Sequence, residues 1–310
     1  MRAFFESLAA RASIHGTETA LVSAAGTVSY AQLIERVRGH AQWAVELPSR
    51  VGLLFSKSSE QILADLALSF AGKELVPLPD FFSDGQLNHI IQATQLSEII
   101  ADPQNLERAA RLRIKVHTLA SAPLPSLVPA ADARRIIFTS GTSGNPKGVC
   151  LRGAQLLASV AALVQASGAA ASDRYLSVLP GALLLEQIAG TYLPFSVGAM
   201  ICVSTGGGAQ QGDFGAALAR AAEQTKPTAT VLVPEILGAW LRELQVSGRR
   251  APQSLRFVAV GGAPVSRTFA DAAWEQGLPI YEGYGLSECS SVVALNTPGS
   301  APRHRRQTFA

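Results

Sequence analysis

The sequence is poor in charged residues, in aromatic side chains and in cysteine. Only 16% of its 310 residues are charged and 6% are aromatic, whereas 48% are hydrophobic. This balance excludes a disordered chain, because so much apolar surface has to be buried, and it favours helices packed on a parallel sheet. A chain of this length forms one large or two ordinary domains. Its three cysteines are scattered and fit neither a disulfide framework nor a zinc site, so we expect a reducing, cytoplasmic compartment.

Long apolar runs and basic patches are lacking as well. No segment approaches the roughly 20 apolar residues that cross a bilayer, and the N-terminal stretch MRAFFESLAARAS has no long apolar run of the kind found in a secretory signal. The formal net charge of +3 equals the contribution of three arginines near the end of the chain, Arg303, Arg305 and Arg306. The rest of the chain therefore offers no basic face, and we exclude nucleic acid as a partner.

Extended segments alternate with helical ones along the chain. Helices are predicted over Ser58–Gly72, Val149–Gly168 and Gly215–Lys226, where apolar residues recur at helical spacing. The stretch Ala120–Asp132 is rich in proline, alanine and serine and is predicted to be a surface loop. The alternation predicts βαβ units and a parallel sheet with helices on both faces. Strands are predicted at Arg50–Phe55, Leu75–Leu78, Glu98–Ala101, Arg135–Thr139, Tyr175–Leu179, Ala199–Val203, Ala229–Val233 and Leu255–Val260.

The segment Phe138–Gly148, FTSGTSGNPKG, has the composition of a phosphate-binding loop. Its glycines allow tight turns that present backbone amides, its hydroxyls can donate hydrogen bonds to phosphate oxygens, and Lys147 adds a positive charge. It is not a Walker A loop, because Pro146 and Gly148 flank the lysine where that motif has glycine and a serine or threonine. The segment therefore predicts a polyphosphate site formed by Thr139, Ser140, Gly141, Thr142, Ser143, Gly144 and Lys147.

Two further segments fit a nucleotide site. Gly261, Gly262 and Ala263 form a turn with little side chain after a predicted strand, which leaves room for a flat base against the backbone. The segment Tyr281–Glu288, YEGYGLSE, combines an aromatic ring, a hydroxyl and a carboxylate. Taken alone, the glycine turn is equally a common connection from strand to helix, and the tyrosine and glutamate fit a core position and a solvated one.

Taken together, the three segments resemble the signature of the adenylate-forming superfamily, which includes acyl-CoA synthetases, luciferases and nonribosomal peptide adenylation domains. Val28–Leu33 (VSYAQL) resembles a further motif of that family, and the glycine turn lies within Val258–Val265 (VAVGGAPV), which resembles the family's strand and turn beside the adenine. The motifs stand in the family's order, so the resemblance covers nearly all of residues 1–300. It implies an α/β fold of two flavodoxin-like, doubly wound subdomains, roughly residues 1–170 and 171–300.

The resemblance implies ATP and Mg²⁺ as cofactors, a carboxylic acid as substrate, and CoA or a carrier-protein thiol as acceptor. It assigns catalysis to Lys147 and Glu288, and Mg²⁺ coordination to Glu288. Tyr284 is expected to stack on adenine and Ser287 to contact the α-phosphate. Nucleotide binding is expected at the loop named above and at Gly261, Gly262, Ala263, Tyr281, Glu282, Gly283, Tyr284, Gly285 and Ser287.

Within the superfamily, the resemblance is to fatty-acyl and related CoA ligases. Leu179, Pro180 and Glu186 stand where those enzymes have an LPLxHxxE segment, so a fatty or aromatic acid is expected as substrate. Leu183 replaces the histidine of that segment, and Gly153 replaces a histidine common after the phosphate loop. Both replacements indicate that the carboxylate of the acid is bound differently here than in those CoA ligases.

The resemblance also implies parts that would follow residue 310. These are a barrel-like third subdomain, a ribose-binding aspartate and a mobile C-terminal domain with a catalytic lysine. We therefore expect residues 1–300 to form an incomplete large domain with impaired activity. We hypothesise that the reading frame shifts near Ser300, which would leave residues 301–310 out of frame and disordered. The alternatives are a non-catalytic ATP-binding remnant or interaction protein, and a peptide-synthetase adenylation domain.

Overall fold

The computed structural model describes residues 1–123, 127–139, 146–204 and 214–299. Within these ranges the strands are β1 (Thr19–Ser23), β2 (Gly26–Ser29), β3 (Arg50–Leu54), β4 (Glu74–Pro77), β5 (Glu98–Ala101), β6 (Lys115–His117), β7 (Arg134–Thr139), β8 (Lys147–Arg152), β9 (Arg174–Ser177), β10 (Met200–Val203), β11 (Ala229–Leu232), β12 (Phe257–Val260), β13 (Ile280–Leu286) and β14 (Ser291–Leu295).

The helices of the described ranges are α1 (Arg2–Ile14), α2 (Tyr30–Ala44), α3 (Ser59–Phe70), α4 (Asp84–Thr94), α5 (Leu106–Arg111), α6 (Gly153–Ser167), α7 (Leu184–Glu186), α8 (Leu193–Val197), α9 (Phe214–Thr225), α10 (Pro234–Ser247) and α11 (Arg267–Glu275). A π-helical segment, Gln187–Tyr192, joins α7 to α8, and a 3-10 turn, Ser287–Cys289, lies between β13 and β14. Serine side chains cap several of these helices, with complete capping boxes at Ser29 and Ser83.

Two sheets form the framework of the molecule. The first sheet has the order β6-β5-β3-β4-β7-β8 and is parallel except for β8, which is antiparallel to β7. The second sheet has the order β14-β13-β12-β11-β9-β10-β1-β2, with the antiparallel strands β14 and β2 at its edges. The predicted α/β fold with two parallel-rich sheets is confirmed, and each of the eight predicted strands is present.

The main apolar core lies between the two sheets. It joins first-sheet residues such as Ile137 and Leu151 to second-sheet residues such as Leu21 and Ile201, with α1, α2, α3 and α6 packed among them. Separate clusters cover the outer faces, one under α9, α10 and α11 and one under α4 and α5. The two sheets are therefore packed against a shared interior.

Two sequence predictions need correction. The helix predicted over Val149–Gly168 begins only at Gly153, because the residues before it alternate between the core and solvent and pair with β7 as β8. The division expected near residue 170 does not separate the sheets, because β1 and β2 belong to the second sheet through the pairing of β1 with β10. By contrast, the described residues of the predicted loop 120–132 contain no helix or strand, as expected.

Candidate functional site

The predicted phosphate-binding segment connects β7 to β8. Thr139, the last residue of β7, pairs with Lys147, the first residue of β8, and Lys147 is exposed. The segment therefore leads into the strand β8 and not into the start of a helix. Outside the described residues lie the predicted ligands Ser140, Gly141, Thr142, Ser143 and Gly144.

His89 on α4 contacts the end of the same segment. Its Nε2 lies 3.1 Å from the carbonyl oxygen of Pro146, directly before Lys147. The capping box of Ser83 and Gln86 fixes the start of α4, and α4 packs on the outer face of the first sheet. No sequence pattern singles out His89, because its partner is a backbone carbonyl far along the chain.

The glycine turn follows β12. Gly262 has φ +92°, a conformation that favours glycine, and its neighbour Gly261 has little room for a side chain. A Cβ atom at Gly261 would lie 3.1 Å from the carbonyl oxygen of Gly283 on β13. The two glycines therefore let the turn approach β13 closely, as the predicted base-binding surface requires. Ala263 is exposed and does not line the cavity described below.

The segment Tyr281–Glu288 runs along β13 into the 3-10 turn and divides into two parts. At its outer end the ring of Tyr284 is 61% exposed, and Ser287 and the exposed Glu288 follow in the turn. At its inner end Tyr281 is buried, stacked on Phe257 with 4.6 Å between ring centroids. Burial raises the pKa of Tyr281 above its usual value.

Five predicted site residues of the described ranges do not line the cavity, namely the exposed Lys147 and Glu288 together with Ala263, Tyr281 and Glu282. Tyr281 packs in the core, Ala263 faces solvent, and Glu282 accepts a hydrogen bond from the backbone N–H of Val265 at 3.1 Å. This hydrogen bond fixes the backbone that follows Gly262 to β13, so Glu282 stabilises the turn.

A cavity of about 440 Å³ opens where these segments meet. One wall is the second sheet, through pocket-facing residues of β9, β11 and β12, and the opposite wall is α6 together with the helix from α7 to α8. Predicted site residues that line it are Thr139, Gly261, Gly262, Gly283, Tyr284, Gly285 and Ser287. Most of the remaining lining is apolar, including Phe82, Phe138, Leu163, Leu183, Leu193, Val231 and Leu295.

An ion pair lies at the end of the cavity away from these segments. Arg256 Nε donates to Asp173 Oδ1 at 2.8 Å, and Arg256 Nη1 donates to the carbonyl oxygen of Ser167 at 2.7 Å. Asp173 also accepts from Thr228 Oγ1 at 2.6 Å. Burial alone would raise the pKa of the Asp173 carboxyl, but the hydrogen bonds, chiefly from Arg256, outweigh it and lower that pKa.

A second buried polar cluster stands behind the cavity wall. Glu186, of which 2% is exposed, accepts from Tyr175 Oη at 3.2 Å and from the hydroxyl of Ser177. Lys57 Nζ lies 3.1 Å from Glu186 Oε1 and donates to Ser177 Oγ at 2.6 Å. Burial lowers the pKa of Lys57 despite the opposing effect of Glu186. The sequence analysis identified Glu186 but missed Lys57. The only sequence signal for Lys57 is its position shortly after an apolar strand.

Within the described ranges, no set of His, Cys, Asp and Glu side chains gathers as a metal site, and no helix is long and apolar enough to cross a membrane. A single exposed carboxylate such as Glu288 nevertheless fits Mg²⁺, which is commonly held by one or two carboxylates together with substrate phosphates. The glycine turn and the exposed ring of Tyr284 likewise fit a nucleotide base.

Two known proteins are similar in sequence to most of this chain. The chain is 28% identical over 261 residues to 2-succinylbenzoate–CoA ligase of Enterococcus faecalis, covering 80% of this chain and 51% of that protein. It is 29% identical over 260 residues to the nonribosomal peptide synthetase lenA of Aspergillus lentulus, covering 79% of this chain and 5% of that protein. The chain therefore spans about half or less of these relatives.

A solved structure has the same fold. O-succinylbenzoate coenzyme A synthetase of Bacillus subtilis, in complex with ATP and magnesium, superposes with a TM-score of 0.82 at 20% identity, covering 95% of this chain and 62% of that one. The family model described as AMP-binding enzyme matches residues 8–309. The chain therefore belongs to the AMP-binding enzyme family of adenylate-forming ligases.

Proposed function

We propose that this chain binds ATP at the mouth of the cavity and adenylates a fatty or aromatic carboxylic acid, which is then transferred to the thiol of CoA or of a carrier protein. The observation that carries the proposal is the meeting of three elements at one opening. The end of β7, the turn at Gly261 and Gly262, and the outer half of β13 all line the apolar cavity. A hydrophobic acid seated there would hold its carboxylate at the nucleotide segments.

The roles that we propose for the side chains are those that the family resemblance implies. Tyr284 offers its exposed ring to adenine, Thr139 and Ser287 offer hydroxyls to phosphate oxygens, and Lys147 offers positive charge. Glu288 would hold Mg²⁺, which neutralises phosphate charge when bound. The acid's carboxylate oxygen attacks the α-phosphorus, a new P–O bond forms, and the bond to the β-phosphate breaks as pyrophosphate leaves. The protein's part is positioning and charge stabilisation.

ATP–pyrophosphate exchange tests this proposal directly. Exchange above background with one or more fatty or aromatic acids is expected, and Lys147→Ala should lower it by about 100-fold, as removal of a transition-state contact commonly does. The matched control is Lys115→Ala, which removes an exposed lysine paired with Glu98 on β5. ATP binding without exchange, for every acid tested, would instead identify a non-catalytic nucleotide-binding remnant.

The similarity to lenA favours a second candidate, a peptide-synthetase adenylation domain. A buried substrate ammonium needs a carboxylate partner. Among the described residues that line the cavity, Asp173 is the only one with a carboxylate, and it is already paired with Arg256. We therefore favour acids without an amino group, and exchange with amino acids but not with fatty or aromatic acids would reverse this choice.

We also propose that residues 1–300 belong to one large domain and that the protein works in the cytoplasm. Residues 301–310 lie outside the described residues. Sequencing the gene tests the frameshift hypothesis, which fails if no other reading frame near Ser300 continues the family's pattern.

A further inference from the structure

The turn that joins β13 to β14 contains two consecutive residues in an unfavourable backbone conformation. Ser290 has φ +59° and Ser291 has φ +85°. Such left-handed angles are costly for residues other than glycine, and they persist only where the surrounding structure holds them. Both serines are buried, and the side-chain oxygen of Ser290 has no hydrogen-bond partner among the described residues. The side chain of Ser290 therefore does not hold its own backbone in this conformation.

A hydrogen bond from α6 reaches this turn. Ser159 Oγ donates to the carbonyl oxygen of Ser290 at 2.7 Å, although the two residues are 131 positions apart. The backbone N–H of Ser290 donates in turn to the carbonyl oxygen of Ser287 at 3.0 Å, which closes the 3-10 turn. A displacement of Ser290 would therefore move Ser287 and Glu288 with it.

The same hydrogen bond connects parts of the nucleotide site that come from different sheets. α6 begins directly after β8, and β8 begins with Lys147 in the first sheet. The 3-10 turn with Ser287 and Glu288 follows β13 of the second sheet and lies beside β8. The distance between the lysine and the turn therefore depends on contacts between the sheets. The hydrogen bond from Ser159 is such a contact, and it acts next to the turn itself.

We propose that Ser159 is a positioning residue, which holds the strained turn so that Ser287 and Glu288 lie where ATP and Mg²⁺ require them relative to Lys147. Its hydroxyl acts through the backbone of Ser290 and contacts neither the nucleotide nor the ion. Without this hydrogen bond, Ser290 would relax toward ordinary backbone angles and the turn would shift. The inference rests on the proposed function, because it assumes that these side chains serve the phosphates and Mg²⁺.

Calorimetric titration of the full chain with ATP, with and without Mg²⁺, tests the inference without requiring catalysis. In the wild type, Mg²⁺ should tighten ATP binding. Ser159→Ala should reduce this gain by about 3- to 10-fold, as expected for one hydrogen bond, while the affinity for adenosine is unchanged. Alanine is a better helix former than serine, so the substitution does not weaken α6 itself. Ser159→Thr keeps the hydroxyl and should restore the gain.

The matched control is Ser247→Ala. Ser247 Oγ also donates to a backbone carbonyl at 2.7 Å, but its acceptor, Glu243, lies in the same helix, α10. This variant should leave the gain from Mg²⁺ unchanged. In ATP–pyrophosphate exchange, Ser159→Ala should raise the KM for MgATP while the KM for the acid stays the same. A smaller fraction of folded protein would not give this split.

A second variant tests the part played by the strained backbone. Ser290→Gly removes a side chain without a hydrogen-bond partner among the described residues, and glycine adopts left-handed angles freely. In this background, Ser159→Ala should reduce the gain from Mg²⁺ by less than about twofold, because the two substitutions act on one turn. An equal reduction in both backgrounds would overturn the role given to the strained turn.

The inference is overturned if Mg²⁺ gives the wild type no gain, if Ser159→Ala keeps the whole gain, or if Ser159→Thr does not restore it. The expected changes in ATP binding without any pyrophosphate exchange would contradict only the proposed catalysis. Exchange whose KM for MgATP is the same in the wild type and in Ser159→Ala would contradict only the inference.

Discussion

Lys57 and Glu186 place opposite charges in the interior behind the cavity wall, and each depends on the other. Removal of one partner from a buried pair leaves the other uncompensated and commonly costs about 3 to 5 kcal/mol. We expect Lys57→Met to lower the free energy of unfolding by about that amount, since Glu186 would keep only hydroxyl partners. Urea denaturation followed by circular dichroism measures the change.

The control for this prediction is the exposed pair of Lys115 and Glu98. Lys115 is 63% exposed, so Lys115→Met should change the free energy of unfolding by less than about 1 kcal/mol. The double variant Lys57→Met, Glu186→Leu should recover part of the stability lost in Lys57→Met, because no buried charge then lacks a partner. Equal losses for Lys57→Met and Lys115→Met would contradict the role given to burial.

The three cysteines should differ sharply in reactivity. Cys150 and Cys289 are exposed, whereas Cys202 is buried in β10 and its burial raises the pKa of its thiol to about 11. Thiolates are the reactive species, so Cys202 should be inert in the native protein. Titration with a thiol reagent at pH 8 should modify two cysteines rapidly and the third only after unfolding. Rapid modification of all three would show that β10 is accessible.

At the scale of elements, the hairpin of β13 and β14 depends on a glycine. A Cβ atom at Gly285 would lie 2.0 Å from the carbonyl oxygen of Ser291, which is backbone and cannot move independently of β14. Gly285→Ala should therefore separate the strands, lower the free energy of unfolding by about 1 to 3 kcal/mol and weaken the AMP binding that we propose for Tyr284 and Ser287. Thermal unfolding and AMP titration measure the two effects.

Gly85 supplies the matched control for this substitution. It lies in the first turn of α4, where the nearest atom to an added Cβ is 3.8 Å away. Gly85→Ala should be neutral or stabilising by up to about 1 kcal/mol, as expected for alanine in a helix. Similar destabilisation by both substitutions would show that crowding against Ser291 is not the cause.

Local patterns predicted those elements whose signals are contained in their own residues. The strands at Arg50–Leu54 and Phe257–Val260 are short apolar runs, and α3 has a capping serine and helical spacing. The hairpin of β1 and β2 was missed, because it is stabilised in the second sheet by pairing with β10 far along the chain. β8 was taken for helix, because its alternating residues run directly into α6.

The site residues divide in the same way, into those predicted from their own segment and those that depend on partners far along the chain. The glycine turn and the outer half of β13 were predicted from residue types, and they line the cavity. Tyr281 was grouped with them because it belongs to the same segment, yet a strand of seven residues reaches from the mouth into the core. Lys57 and Arg256 were not predicted, since each acts through a partner on another element.

For the molecule as a whole, the pair of Asp173 and Arg256 predicts how stability depends on pH. The folded pKa of Asp173 is lowered, so the stability it contributes is fully present above its unfolded pKa of about 4 and is lost as the pH falls through the folded value. The free energy of unfolding should therefore decrease as the pH falls below about 4. In the Asp173→Asn variant, the free energy of unfolding should decrease less steeply with falling pH. Urea denaturation of both proteins between pH 3 and 7 gives the slope of the free energy of unfolding against pH. Identical slopes for the wild type and the variant would contradict the lowered pKa of Asp173.

Arg135 forms hydrogen bonds that connect the first sheet to elements packed against the second sheet. It lies buried on β7 of the first sheet and donates to Asp65 on α3 and, at 2.9 Å, to Tyr192 Oη in the π-helical segment that packs against the second sheet. Tyr192 in turn donates to Asp65 Oδ1 at 2.8 Å. The shared core and this cluster couple the sheets, so both should unfold in one transition.

Arg135→Met should therefore weaken both sheets together. The loss should be about 3 to 5 kcal/mol, a large share of the 5 to 15 kcal/mol that stabilises a typical domain. Amide hydrogen exchange can report β4 and β12 separately, and both should lose the same protection, because each opens by global unfolding. Loss of protection confined to β4 would show that the sheets unfold independently, and the cluster would then stabilise only the element on which Arg135 lies.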